Sequence, residues 1–114
     1  MALPPLIREL VETKLNKYFE KRIPPELRSE ISLSFKIRGN SVTLTEARPL
    51  FVDPSQWVGI PFAQLRFNPA TSKWTLYCAD RNSRWHEYIE SEPDQKFETL
   101  IRDIDEDVTG IFWG

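Results

Sequence analysis

The chain holds one cysteine, Cys78, among its 114 residues. An intrachain disulfide is excluded, and so is a cysteine-rich zinc site. A domain that folds without cross-links suits a reducing compartment. Histidine is also single, His86, so no second imidazole is present to share a metal. Glycine is scarce at four residues, and none of them forms a phosphate-cradling loop. No apolar run approaches a membrane span. Arg8, Glu9 and Glu12 interrupt the segment in which a signal peptide needs its apolar stretch. No Ser-His-Asp context and no Cys-x-x-Cys pair is present. These absences predict a cytoplasmic protein without a cofactor and without a membrane partner.

Aromatic residues and proline are plentiful instead: seven Phe, four Trp, three Tyr and nine Pro. Such a chain can bury a core and has stiff loops, which argues against disorder. Its length is that of one domain, residues 1–114. The net charge of −2 is unevenly spread. Residues 31–89 carry seven basic and four acidic side chains, whereas residues 90–114 carry two basic and eight acidic ones. The mildly basic middle is too weak a signal to mark DNA binding by itself.

Ile7, Val11, Leu15 and Phe19 recur every fourth residue, with Leu10 and Tyr18 widening the stripe, and predict an amphipathic helix over 4–22. Pro4 and Pro5 suit its start, and Pro24 and Pro25 stop it. Ile31, Leu33, Phe35 and Ile37 alternate with polar residues, the pattern of a half-buried strand. Gly39-Asn40 then turns the chain into a return strand led by Val42 and Leu44. Pro49, Pro54 and Pro61 mark residues 49–61 as an irregular crossover. Further strands are predicted over 62–67, 73–79 and 84–89. A second helix is predicted over 93–106 from Phe97, Leu100, Ile101 and Ile104, with Ser91 and Asp94 as a capping box and Gly110 closing the helical region. Short turns between strands force antiparallel pairing, and the apolar sheet face needs a cover. The predicted fold is α+β: a twisted antiparallel five-stranded meander sheet with an N-terminal and a C-terminal helix packed on one face.

Each candidate site competes with a simpler structural role. Asp103, Asp105, Glu106 and Asp107 form an acidic run of hard oxygen donors, but Val108 stands where a calcium loop needs glycine. A solvated acidic helix end accounts for the run. Glu46 and Glu87 are in phase with apolar strand residues, Glu87 with Trp85 and Ile89; a carboxylate at a strand rim explains both. Cys78 aligns with Trp74 and Leu76 as a small core residue. His86, with Arg84 and Tyr88 on its face, lacks a metal partner. Lys36, Arg38, Arg66, Lys73, Arg81 and Arg84, with Tyr77 and Phe62, make a basic aromatic sheet face of the kind that stacks single-stranded bases. Aggregation-blocking charge on an open sheet explains the same pattern.

The end of the chain, Ile111-Phe112-Trp113-Gly114, is unusual. Bare rings at a terminus are an aggregation hazard, so the tail either closes the core or docks into a partner. The sequence places Phe112 and Trp113 mostly buried near Trp85, with Asp105 or Asp107 paired to an arginine, Arg81 and Arg84 lying in the turn and strand before the helix.

Trp74-Thr75-Leu76-Tyr77, Asp80-Arg81-Asn82, Arg84-Trp85-x-x-Tyr88 and Ile104-Asp105-x-Asp107-x-x-Gly110-Ile111-Phe112-Trp113-Gly114 together resemble a bacterial family of uncharacterised proteins, domain of unknown function 3024. The likeness spans roughly the last two-thirds of the chain, with the first helix at its margin and the terminal motif its most specific part. It implies a small bacterial domain in which Asp105, Asp107, Gly110 and the tail act as one unit, and it implies no activity or ligand. From the residues, the expected function is a non-enzymatic binding module for a protein or peptide, as a monomer or homodimer. Its binding residues are then Arg81, Arg84, Trp85, Tyr88, Asp105, Asp107, Phe112 and Trp113. A nucleic-acid-associated protein and a metal-dependent hydrolase are the alternatives.

Overall fold

A computed structural model describes residues 3–113. Helix α1 (Pro5–Arg22) is followed by a short helical turn at Pro25–Leu27. Five strands come next: β1 (Ser32–Arg38), β2 (Ser41–Pro49), β3 (Trp57–Asn68), β4 (Lys73–Ala79) and β5 (Trp85–Glu87). Helix α2 (Phe97–Glu106) closes the order. The strands form one antiparallel sheet in sequence order, and both helices share one core with one face of it. This is the predicted α+β meander.

Strand alternation builds the core. Val42, Leu44, Ala63, Leu65, Trp74 and Leu76 lie at in-register positions and are almost fully buried. Helix α1 adds Val11 and Leu15, and α2 adds Phe97, Leu100 and Ile104. The Trp74 ring meets Phe67 at 5.0 Å and Phe97 at 4.8 Å between centroids. Each fully buried Val, Leu, Ile or Phe side chain among them stabilises the fold by about 1.5–3 kcal/mol through burial. Leu10 does not widen the stripe as expected: it is exposed. One residue turns the helix by about 100°, and the sheet covers only the Val11–Leu15 line.

Residues 49–61 are not an irregular crossover. β2 runs on to Pro49 and β3 begins at Trp57, so the two form a long hairpin arm closed by the 50–56 loop. Pro61 reads as a strand breaker in the sequence, yet it sits inside β3. The Leu50 N–H donates to the Gln56 carbonyl at 2.9 Å. By the alternation of antiparallel pairs, Arg48/Val58 and Glu46/Ile60 also exchange hydrogen bonds. Trp57, Gly59 and Pro61 therefore turn their backbone groups away from β2, and the missing proline N–H costs the β2–β3 ladder nothing.

The register slips at Leu44/Thr45, leaving Phe62 as an extra residue in β3. Phe62 and Ala63 both face the helix side as a result. Phe62 was expected on the outer face; the bulge reverses it.

β5 also has the opposite phase to that expected. Cys78 pairs with His86, so the even positions face the core. Tyr88 is buried and Ile89 is 82% exposed. Trp85 and Glu87 lie on the outer face, opposite Ala79 and Tyr77. α2 starts at Phe97, not 93, because Asp94 pairs with Trp74 as a single bridge and holds the preceding segment extended. The predicted capping box does not form. The buried Ser91 hydroxyl donates to Asp103 at 2.8 Å, and the Asp94 carboxylate takes the Lys96 N–H at 2.7 Å. No helix among the described residues is long and apolar enough to cross a membrane.

Candidate docking site

Three parts of the fold meet at one end of the sheet: the tail, the end of α1 and the β2–β3 arm. α2 ends at Glu106, and Asp107 takes a left-handed conformation, φ 46°. That conformation is costly for most residues and easier for Asp than for Ala. Here it aims the Asp107 carboxylate along the returning chain, where it accepts the backbone N–H of Phe112 at 3.1 Å and of Trp113 at 2.8 Å. Gly110, at φ 72°, makes the turn that brings them back. The predicted closing role of Gly110 thus belongs to the tail turn, while Asp107 caps the helix.

Phe112 is buried against Tyr88, ring to ring at 5.0 Å, and the Tyr88 hydroxyl lies 3.1 Å from Thr109 Oγ1. Trp113 is half-buried. Its Nε1–H donates to the Ile104 carbonyl at 3.0 Å, its ring packs on Phe62 at 4.8 Å, and Arg22 sits over it at 4.3 Å. The Tyr18 hydroxyl donates to Asp105 at 3.1 Å, and Arg22 stands 4.0 Å from the same carboxylate. Burial, then the Asp105 charge, push the Tyr18 phenol above its ordinary range, so it stays a donor.

Trp113 packs on Phe62, and the arm continues beyond that contact. Past the bulge, Val58 and Ile60 face the same side as the core, but neither helix reaches that far. They are 45% and 63% exposed, and Phe51 and Val52 at the tip are 100% and 87% exposed. A groove of about 400 Å³ lies there, lined by Leu50, Phe51, Val58, Ile60, Phe62 and Phe112. Its polar elements are Glu46 and Arg48, ion-paired to each other. Among the described residues, the β3 edge from Trp57 to Pro61 has no strand beside it, because β4 pairs only with Ala63 onward.

Residues 3–114 match the family described as a domain of unknown function, DUF3024. The chain belongs to this family. The match takes in α1, which lies at the margin of the sequence likeness. Searches of curated proteins and of solved structures found no match.

In this DUF3024 chain the eight sequence-predicted residues separate into two groups. Tyr88, Asp105, Asp107, Phe112 and Trp113 come together around the tail. Arg81, Arg84 and Trp85 lie on the β4–β5 turn and the outer face. The expected contact of the tail with Trp85 is not made, since strand phase puts Trp85 on the other side of the sheet. The expected aspartate–arginine pair forms through Arg22, while Arg81 and Arg84 make no ion pair among the described residues. Their turn is organised by Asp80, whose carboxylate takes the N–H groups of Asn82 (2.8 Å) and Arg84 (3.0 Å) and lies 2.7 Å from His86 Nε2. The Arg84 N–H first, and the His86 contact next, hold Asp80 below the usual carboxylate range.

The acidic run has three separate structural tasks. Asp103 takes the Ser91 hydroxyl, Asp105 the Tyr18 hydroxyl and Asp107 the tail amides. Among the described residues no three His, Cys, Asp or Glu side chains are grouped to hold a metal. On the outer face, Arg66 lies over the Tyr77 ring at 3.8 Å and donates to Gln64 at 2.6 Å. Sequence reasoning missed the arm residues Phe51, Val52, Val58 and Ile60. A signal was present: Val58, Ile60 and Phe62 share one parity and Ala63, Leu65 and Phe67 the other, which is the mark of a bulge within a continuous strand.

Proposed function

We propose that this DUF3024 domain is a non-enzymatic binding module that docks an extended apolar segment of a partner protein on the β2–β3 arm. The observation that carries this reading is the contiguous apolar surface of Leu50, Phe51, Val58, Ile60 and Phe62, which continues the core past the point where helix and tail cover it. Patches of this kind on a small domain mark interaction sites. The groove is within the size range of binding sites, and its Glu46–Arg48 pair offers an acceptor and a donor to a passing backbone. The tail, the other candidate surface, is engaged by Asp107 and Phe62. The outer face is less suited to stacking bases, because Arg66 occupies the ring face of Tyr77.

Selection of peptides from a displayed random library against the full chain tests the reading. Selected peptides should bind the wild type and lose at least about tenfold in affinity to Ile60→Lys, a change of roughly 1.4 kcal/mol. Arg66→Ala on the outer face should leave them unaffected. Peptides indifferent to Ile60→Lys, or an unproductive selection, would refute it.

A further inference from the structure

The arm offers a sheet edge as well as a groove, and the edge is self-complementary. The N–H groups of Trp57 and Gly59 and the carbonyls of Trp57, Gly59 and Pro61 point away from β2 by the alternation set at Leu50/Gln56. Residues 57–61 are all exposed. β4 stops short of them, leaving a notch beside β3 that ends where Ala63 meets Cys78. Unpaired edges with apolar side chains are templates for strand addition.

We propose that a second copy of this chain fills the notch, so that two β3 strands pair antiparallel about a two-fold axis at Gly59. The inference rests on the reading of the arm as a docking surface and names its partner. Gly59 of one copy lies opposite Gly59 of the other and exchanges both backbone hydrogen bonds with it. Trp57 lies opposite Pro61 of the other copy, and its N–H reaches that carbonyl. Pro61 accepts but cannot donate, so the Trp57 carbonyl opposite it stays unpaired and the pairing rests on four backbone hydrogen bonds, two at Gly59 and one from each Trp57 N–H. A two-fold contact must be self-complementary, and this one is: the vacant edge and the strand that fills it are the same residues.

Side chains follow from the register. Val58 of each copy meets Ile60 of the other on the helix side, in the closer kind of antiparallel pair. Trp57 meets Pro61 on the outer face. The two arms join their grooves into one apolar strip. Trp57, Val58 and Ile60, which are 43%, 45% and 63% exposed, offer with the strand edge on the order of 400 Å² per copy, given roughly 150–250 Å² for a whole aromatic side chain and less for an aliphatic one. The pair then buries about 800 Å² in total, the size of a weak, transient contact, which fits a dissociation constant on the order of 100 micromolar.

Sedimentation equilibrium of the full chain, from low micromolar to several hundred micromolar, reads the assembly directly. The wild type should pass from monomer to dimer across that range. Val58→Glu and Ile60→Lys should each weaken the dimer about tenfold or more. Both positions are exposed, and each new charge faces an opposite one within its own hairpin, Arg48 and Glu46 respectively, so the variants fold. In the double variant the new carboxylate at position 58 of each copy meets the new ammonium at position 60 of the other, and the dimer should recover to within about threefold of wild type. A wild type that stays monomeric throughout overturns the proposal. So does a dimer insensitive to the single changes, or a double variant no better than the singles, which would contradict the register. A monomer that still binds library peptides through Ile60 would remove the second copy and leave the docking reading standing.

Discussion

Replacing Asp107 tests how the tail is held. Its carboxylate accepts two backbone N–H groups, from Phe112 at 3.1 Å and Trp113 at 2.8 Å. Hydrogen bonds to a charged group contribute about 1.5–3 kcal/mol when buried. Both of these are only partly buried, so about 1 kcal/mol each is the appropriate scale. Asp107→Ala removes both and also puts alanine in the left-handed region, which adds roughly 0.5–1 kcal/mol. The expected loss is about 2.5–3 kcal/mol, or roughly 10–15 °C in Tm for a domain of this size. Asp107→Gly removes the same hydrogen bonds but adopts the positive φ freely, so it should cost about 1 kcal/mol less than the alanine variant. Urea unfolding followed by tryptophan fluorescence, with equal m-values, measures both. If Asp107→Ala unfolds within about 0.5 kcal/mol of wild type, or if the glycine variant is the less stable of the two, the account of the tail clamp is wrong.

Other contacts give further tests. Trp113→Ala should lose about 2–3 kcal/mol in the same assay, less than a fully buried ring because Trp113 is half-exposed. Asp80 is held below the usual carboxylate range, so its stabilising effect is complete above the unfolded value of about 3.9 and is lost as pH falls through the lower folded value. An NMR titration that follows the Asp80 carboxyl carbon should show its protonation step centred below about pH 4; a protonation step centred above that would contradict the assignment. Burial pushes the Cys78 thiol up, so the folded protein should react with a thiol reagent far more slowly than in urea. Equal rates would place Cys78 outside the core.

Much of the fold is legible because simple periods are kept. Ile31 to Ile37 alternate without interruption, and Gly39 turns the chain at φ 58°, so pattern alone locates β1 and β2. β3 reads too short because Pro54 and Pro61 look like breakers, whereas the direction of one missing N–H decides whether a proline harms a ladder. β5 reads with the wrong face inward because Trp85 is apolar and Tyr88 has a hydroxyl. The Asp80-centred turn sets the phase, and the Tyr88 hydroxyl has Thr109 to bond. The candidate site is half visible. The tail announces itself by composition, but its partner in charge is Arg22, far away in sequence. The arm is hidden inside a segment that three prolines mark as irregular.

Residue-resolved amide hydrogen exchange in dilute protein tests the central claim most directly, namely that the aromatic tail belongs to the core and the β3 edge of the arm is the free surface. The Phe112 and Trp113 amides, bonded to Asp107, should be protected, and the Trp57 and Gly59 amides should exchange at close to the rate of open chain. Protection at Trp57 and Gly59 in the dilute monomer, or a Trp113 amide exchanging as fast as Trp57, would contradict it.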